Sequence, residues 1–436
     1  MSSRNSFGAR CRGVVIASAA GLCVGAGGYV SAQSDGGGSS SVVRTSLLGA
    51  VSGTAFGAAE KKQPERDPWG REWLLLSAVP STVPGTKAGT LNIGGMLQGQ
   101  YISSIREQDA ARSVDDFESG FQIRRSRIKL SGDLGVASDG AKLPFVLQTQ
   151  ATQGGGVQMI DAFVGWQRGD WTISAGRFIV PFAREGLTSV TTRLAVDFSP
   201  ATAFFSFGGP LFRASGVEAR YIADEWSFAT MVHDGNGGGF ASFQNDETDI
   251  GWMTRIEKRF GGTWDQFRDA TSPMGSDSSL LLGGAANISV GEGDGNMDGL
   301  QREAFTEIRW TADATFEGDG WTVYGAAYGL HRDDQGLDNT NIFGANAHAG
   351  VYVDQDLELY SQYSWITDED TAGQLSILFV GANKYLAGHS LKLQGDVGYA
   401  IESVPTQFAN PSLGILPDAA GERGQVIVRG QVQLVF

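Results

Sequence analysis

The chain has 436 residues, with 33 basic and 48 acidic side chains, a formal charge of −15, 41 % hydrophobic residues and 62 glycines. That is too polar for a bundle of membrane helices and too rich in glycine and aromatics for a disordered tail, and the acidic balance disfavours a nucleic-acid partner. The one apolar run near the ~18 residues that suggest a spanning helix lies at the N-terminus.

That N-terminus reads as an export signal over residues 1–32. Arg4, Arg10 and Arg12 form a positive start, Gly13 to Val30 is apolar and small, and Val30-Ser31-Ala32 fits a cleavage site. A first transmembrane helix is the weaker reading, because glycine is dense and no positive flank follows. Cys11 and Cys23 both fall inside this segment, so the mature chain is expected to hold no cysteine and no disulfide scaffold. Residues 33–88 then mix a flexible Asp35–Ser41 run with a charged Glu60–Asp67 stretch. They are expected to form a periplasmic extension or linker. The Trp69–Leu76 patch is either a small local cluster or a docking segment, and Pro80, Pro84 and Gly85 break any helix.

From Leu91 the pattern changes to alternation of apolar and polar residues, repeated over segments of ten or so positions. Period two means strands with two different faces. Leu143–Gln150 is one example, with Phe145, Leu147 and Thr149 on one face and Gln148 and Gln150 on the other. Sixteen strands are predicted, at about 90–103, 118–132, 142–153, 157–167, 171–180, 212–222, 226–234, 249–260, 279–290, 302–315, 321–331, 341–353, 357–366, 373–385, 390–401 and 424–436. No long amphipathic helix separates them, which disfavours a βα architecture.

The connections alternate in length. The joints at 168–170, 223–225, 317–320, 354–356 and 386–388 are short; those at 104–117, 181–211, 235–248, 332–340 and 402–423 are longer and polar. Short turns on one rim and long loops on the other mark an outer-membrane barrel. The joint 261–278 departs: it should be short and is long, so it is either an insertion or a miscounted hairpin. Aromatics near strand ends suggest interface girdles: Tyr101, Phe121, Trp166, Trp171, Trp226, Trp252, Trp310, Trp321, Tyr385 and Tyr399. A soluble β-sandwich also alternates, and a propeller would need a repeat that is absent here. In hydrocarbon only helices and closed barrels satisfy the backbone. The expectation is therefore all-β: a 16-stranded antiparallel transmembrane β-barrel over residues 89–436, in the outer membrane of a Gram-negative-type bacterium.

Several segments resemble the phosphate-selective porin O/P family. They are Phe121–Gly132, Met159–Gly165 followed by Ala175–Ser189, Val380–Gln394 and the closing Gln431–Phe436. The resemblance spans about 90–436 and leaves out 33–88. It implies a 16-stranded homotrimeric porin, often anion-preferring, whose third long loop folds into the lumen as the constriction.

The residues themselves suggest how ions would be chosen. If Ile128 and Leu130 face lipid, Arg125, Arg127 and Lys129 share the lumenal face, either as a charge ladder or as a wall paired with acids such as Asp161. Charged rings in a wet pore select ion sign, and Arg forks suit phosphate oxygens. Arg177 and Arg220 fall on lumenal faces of their strands. The 181–211 loop, either the constriction or a rim loop, adds Arg184, Glu185 and Arg193, and its Ala203–Phe207 run could anchor it to the inner wall. Residues 121–220 carry eleven basic and seven acidic side chains, whereas 221–436 carry eleven and thirty-one. His233, His331, His348 and His389 show no metal or triad spacing, and no enzyme activity or cofactor is expected. The expected partners are small inorganic anions such as phosphate, and outer-membrane lipid. A general or cation-preferring porin, or a structural or adhesive barrel, are the competing readings.

Overall fold

The structure is a computed structural model that describes residues 76–81, 89–107, 116–137, 140–151, 155–207, 212–235, 248–291, 304–334, 339–371, 373–419, 421–422 and 424–436. The expected export signal, both cysteines and most of the 33–88 extension lie outside the described residues.

Alternating sequence becomes strand throughout. In chain order the strands are β1 (Leu76–Ser81), β2 (Gly89–Ile105), β3 (Phe117–Val136), β4 (Lys142–Ala151), β5 (Val157–Arg168), β6 (Trp171–Ile179), β7 (Arg213–Ile222), β8 (Trp226–His233) and β9 (Ile250–Phe260). There follow β10 (Ser279–Gly291), β11 (Phe305–Gly318), β12 (Trp321–Asp334), β13 (Thr340–Asp354), β14 (Leu357–Asp368), β15 (Gln374–Tyr385), β16 (Leu391–Ala400) and β17 (Gln425–Val435). From β2 onward each strand pairs antiparallel with the next, and β17 returns to pair with β2 from Val426↔Ile105 to Val435↔Met96. The result is a closed 16-stranded antiparallel barrel formed by β2–β17. At the seam the Gly95 N–H donates to Phe436 O at 2.7 Å, and the Phe436 N–H donates back to Gly95 O at 3.0 Å. A Cβ on Gly95 would run into the Phe436 ring, so the last side chain needs a glycine there.

β1 lies in the stretch expected to be linker. It pairs with β2 from Leu76↔Ile93 to Ser81↔Gly89, continuing the β2 edge beyond the point where β17 ends opposite Met96. Pro80 is tolerated because an edge strand need not donate from every residue.

The burial pattern is that of a soluble protein turned inside out. Large apolar side chains such as Ile123, Ile128, Val217, Ile256, Val380 and Val432 stand exposed on the outer wall, while Gln98, Arg125, Glu218, Asn287 and Gln431 are buried inside. Lipid covers such an outer face. Phe121 is 88 % exposed, and Trp171, Trp226, Trp252, Trp310 and Tyr399 also point outward, as girdle residues should. Tyr385 does not. It is buried, stacked on Tyr352 with centroids 5.6 Å apart, and its hydroxyl donates to Glu358 Oε2 at 2.6 Å. A strand end alone does not tell which face an aromatic takes.

The joint 261–278 is an insertion, and the count of sixteen stands. β9 and β10 pair from Phe260↔Leu280 without a slip, and the intervening residues form an inward-folded turn with a 3-10 segment, Gln266–Arg268. Gly261 and Gly262 open it at φ 76° and 58°, a backbone region that glycine enters without a Cβ clash.

Candidate pore constriction

The connection between β6 and β7 folds into the lumen, settling the choice between constriction and rim. It contains two short helical turns, α1 (Arg184–Leu187) and α2 (Pro200–Thr202), then a π-helical turn, Ala203–Phe207. Nearly every described residue from Val180 to Ser206 is buried or half-buried. Its backbone carbonyls are held by polar side chains projecting from the wall. Gln98 of β2 donates to Val190 O (3.3 Å), Gln433 of β17 to Thr191 O (2.8 Å), Lys392 of β16 to Arg193 O (2.8 Å) and Asn383 of β15 to Leu194 O (2.7 Å). Arg255 of β9 and Arg309 of β11 hold Phe182 O and Phe205 O, each at 2.8 Å. These donors fall at lumenal positions of their strands because period two puts them there.

Side chains fix the rest of the loop. Ser199 caps α2 by accepting from the Thr202 N–H, and Ser199 N–H and Oγ–H both donate to the Glu185 carboxylate, at 2.8 and 2.7 Å. Phe205 stacks on Tyr328 of β12 with centroids 5.1 Å apart, and Phe204 meets Phe408 edge-on at 5.2 Å. The expected aromatic anchor is therefore in place.

The basic residues of β3 face the lumen. Arg125, Arg127 and Lys129 are 5 %, 8 % and 4 % exposed, while Ile128 stands outside. Arg124 joins them, and alternation had assigned it outward. The β2–β3 register jumps from Gln98↔Arg125 to Gly99↔Ile123, leaving Arg124 as an extra residue. Such a bulge puts two consecutive side chains on one face. Arg124 Nε and Arg125 Nη2 both donate to Asp197 of the loop, the latter at 2.7 Å. Burial would raise the Asp197 carboxyl, but Arg124 and Arg125 hold it well below the ordinary carboxylate range. Arg127 Nε donates to Gln150 at 2.7 Å.

The other expected residues separate into two kinds. Arg177 and Arg193 are buried, at 4 % and 3 % exposure, and Arg193 lies close to Arg124 and Arg125. Arg193 lies over the Phe198 ring, 3.8 Å from Asp197 at its nearest, and its three guanidine nitrogens find no hydrogen-bond acceptor among the described residues. Arg184 approaches Glu257 at 3.4 Å, and Arg220 is bound by both oxygens of Glu218 at 2.8 and 3.1 Å. Asp161, considered as a partner for the β3 residues, binds Arg213 in a two-pronged pair at 3.0 and 3.1 Å, and its charge also acts on Arg127. On the opposite wall several acids are taken up in the same way: Asp313 and Glu257 by Arg255, Glu307 by Arg309, and Asp396 by Arg429. Glu185, Glu317 and Glu358 are buried in the lumen as well, so both signs of charge line it, with basic side chains gathered on β3 although the chain as a whole is acidic. Among the described residues no group of His, Cys, Asp or Glu is arranged to hold a metal ion.

No curated protein sequence matches the chain. Among solved structures the barrel is similar to an anion-selective porin from Comamonas acidovorans (TM-score 0.58, 14 % identity, covering 80 % of this chain and 100 % of that one). It is also similar to the outer membrane channel DcaP of Acinetobacter baumannii (0.55, 12 %, 83 % and 100 %) and to OmpT of Vibrio cholerae in its trimer form (0.55, 12 %, 80 % and 99 %). At these identities the likeness is one of fold. The family model of phosphate-selective porin O and P matches residues 96–250. That segment holds both the arginine-bearing strand and the inward loop, and over it, about a third of the chain, the sequence resembles the phosphate-selective porin O and P family, while the barrel as a whole has the porin fold.

Proposed function

We propose that this porin passes small anions, inorganic phosphate foremost, by diffusion through its lumen past the basic face of β3. The observation that carries the reading is the convergence of Arg124, Arg125, Arg127 and Lys129 on one lumenal face, with Arg193 beside them and Asp197 as the acid clamped among them. Fixed positive charge at a narrowing attracts anions and repels cations, whereas distant loop acids are screened within ~8 Å at physiological salt. The guanidine donors of Arg193 suit the oxygens of phosphate. Residues 1–32 would serve as the export signal and 33–88 as a periplasmic extension ahead of the barrel domain at 89–436. The chain would work as a homotrimer in outer-membrane lipid.

The test is a planar-bilayer reversal potential under a salt gradient, first in chloride and then in phosphate. The expected sign is that of an anion-preferring pore, and Arg127→Glu with Lys129→Glu should move it toward cations. The double variant Glu218→Gln with Arg220→Gln removes a neutral pair and should leave the potential unchanged. A cation-preferring sign in the parent protein would mean a general or cation porin, and absent conductance would leave a structural barrel.

A further inference from the structure

We infer that the Gly261–Ser278 turn is a second constriction, a strut that crosses the periplasmic side of the lumen and sets the size limit together with the β6–β7 loop. The inference rests on the porin reading above. The turn leaves the barrel between β9 and β10, eight strands around the ring from the β17–β2 seam, and so from the diametrically opposite wall. Its Ala270 N–H donates to Thr192 O of the constriction loop at 3.2 Å. The neighbouring loop residue, Thr191, is the one whose carbonyl Gln433 of β17 holds. Turn and loop thus bridge the full diameter through one backbone contact.

The strut is built to hold its position. Phe267 is fully buried, and Trp264 Nε1 donates to Ala223 O in the β7–β8 turn at 2.8 Å. On the other side Ser272 Oγ donates to Gly318 O at 2.6 Å, and Gly320 N–H donates to Pro273 O at 3.3 Å, tying it to the β11–β12 turn. Ala270 packs against Leu194, Ala195 and Tyr360. Where strut and loop meet, Arg184, Glu185 and Leu194 of the loop and Asp269 and Ala270 of the strut line one shared cavity.

Two variants test this in bilayers and in liposomes challenged with sugars of graded size. In the first, Gly262–Asp277 is replaced by a two-residue Asn-Gly turn, which suits a tight hairpin. In the second, Asp269→Cys is made with Cys11→Ser and Cys23→Ser and treated with a bulky thiol reagent. Excision should raise single-channel conductance at least about two-fold and admit larger sugars, with the reversal-potential sign kept. Labelling should cut the current to roughly half or less, and it decides the matter if the excised barrel does not fold. A parent protein that conducts, with both variants matching its conductance and cut-off, overturns the strut and leaves the porin reading standing. A parent protein that does not conduct overturns both.

Discussion

Asp197 is the residue on which the constriction turns. It receives Arg124 and Arg125 from the wall and lies 3.8 Å from Arg193 of its own loop. Breaking a buried ion pair from one side leaves charge without a counterpart and costs about 3–5 kcal/mol. Asp197→Asn should therefore lower the urea midpoint of the barrel in detergent and add open-channel noise as the loop loosens. An unchanged midpoint with a quiet channel would remove Asp197 from that role. Its partners also show the limit of reading residues by alternation. Arg125, Arg127 and Lys129 face inward as period two requires, but Arg124 does so only because the strand carries an extra residue opposite Gln98 and Gly99. A bulge leaves no mark in an Arg-Arg pair. Asp197 itself could not be singled out, because a loop has no period to assign its faces.

At the scale of elements, the strands were legible and the loops were not. Strand pattern is local, set by every second side chain meeting lipid or lumen. The inward path of the β6–β7 loop depends instead on donors from β2, β9, β11, β15, β16 and β17, which the sequence scatters over more than 300 residues. The turn between β15 and β16 gives a testable case of how local burial acts. Burial, with Lys392 close by, pushes the His389 imidazole down to about 3. Above its ordinary value of about 6.5 the ring is neutral both folded and unfolded, and it contributes nothing to pH dependence. As the pH falls from there toward 3, the unfolded chain takes up a proton that the folded turn refuses, so stability drops. The urea midpoint should therefore be lower at about pH 4.5 than at pH 7, and His389→Gln should narrow that gap. Equal gaps in both proteins would show that the turn does not titrate with folding.

For the whole molecule the decisive property is where the polar groups went. An exterior of Ile, Val, Leu and Trp around a lumen of Gln, Arg, Asp and Glu is stable only with hydrocarbon outside. The protein should fractionate with membranes, need detergent for solubility and change its gel mobility on boiling. A water-soluble chain insensitive to boiling would contradict the barrel. Overall charge was a poorer guide. The excess of acids from residue 221 onward left open both a basic throat under an acidic exterior and a pore without anion preference, and Asp313, Glu307 and Asp396 are each paired with an arginine from the same wall. Composition counts charges but not the pairs they form.

The seam between β17 and β2 has one more consequence. Gln98 and Gln433 stand on its two sides, bonded to each other at 2.7 Å, and each also grips the loop at Val190 or Thr191. Those grips come into being only when the first and last barrel strands meet. Sealing the wall and installing the filter are thus a single act, so an unfinished barrel would leak without discriminating, and discrimination itself would report that assembly is complete.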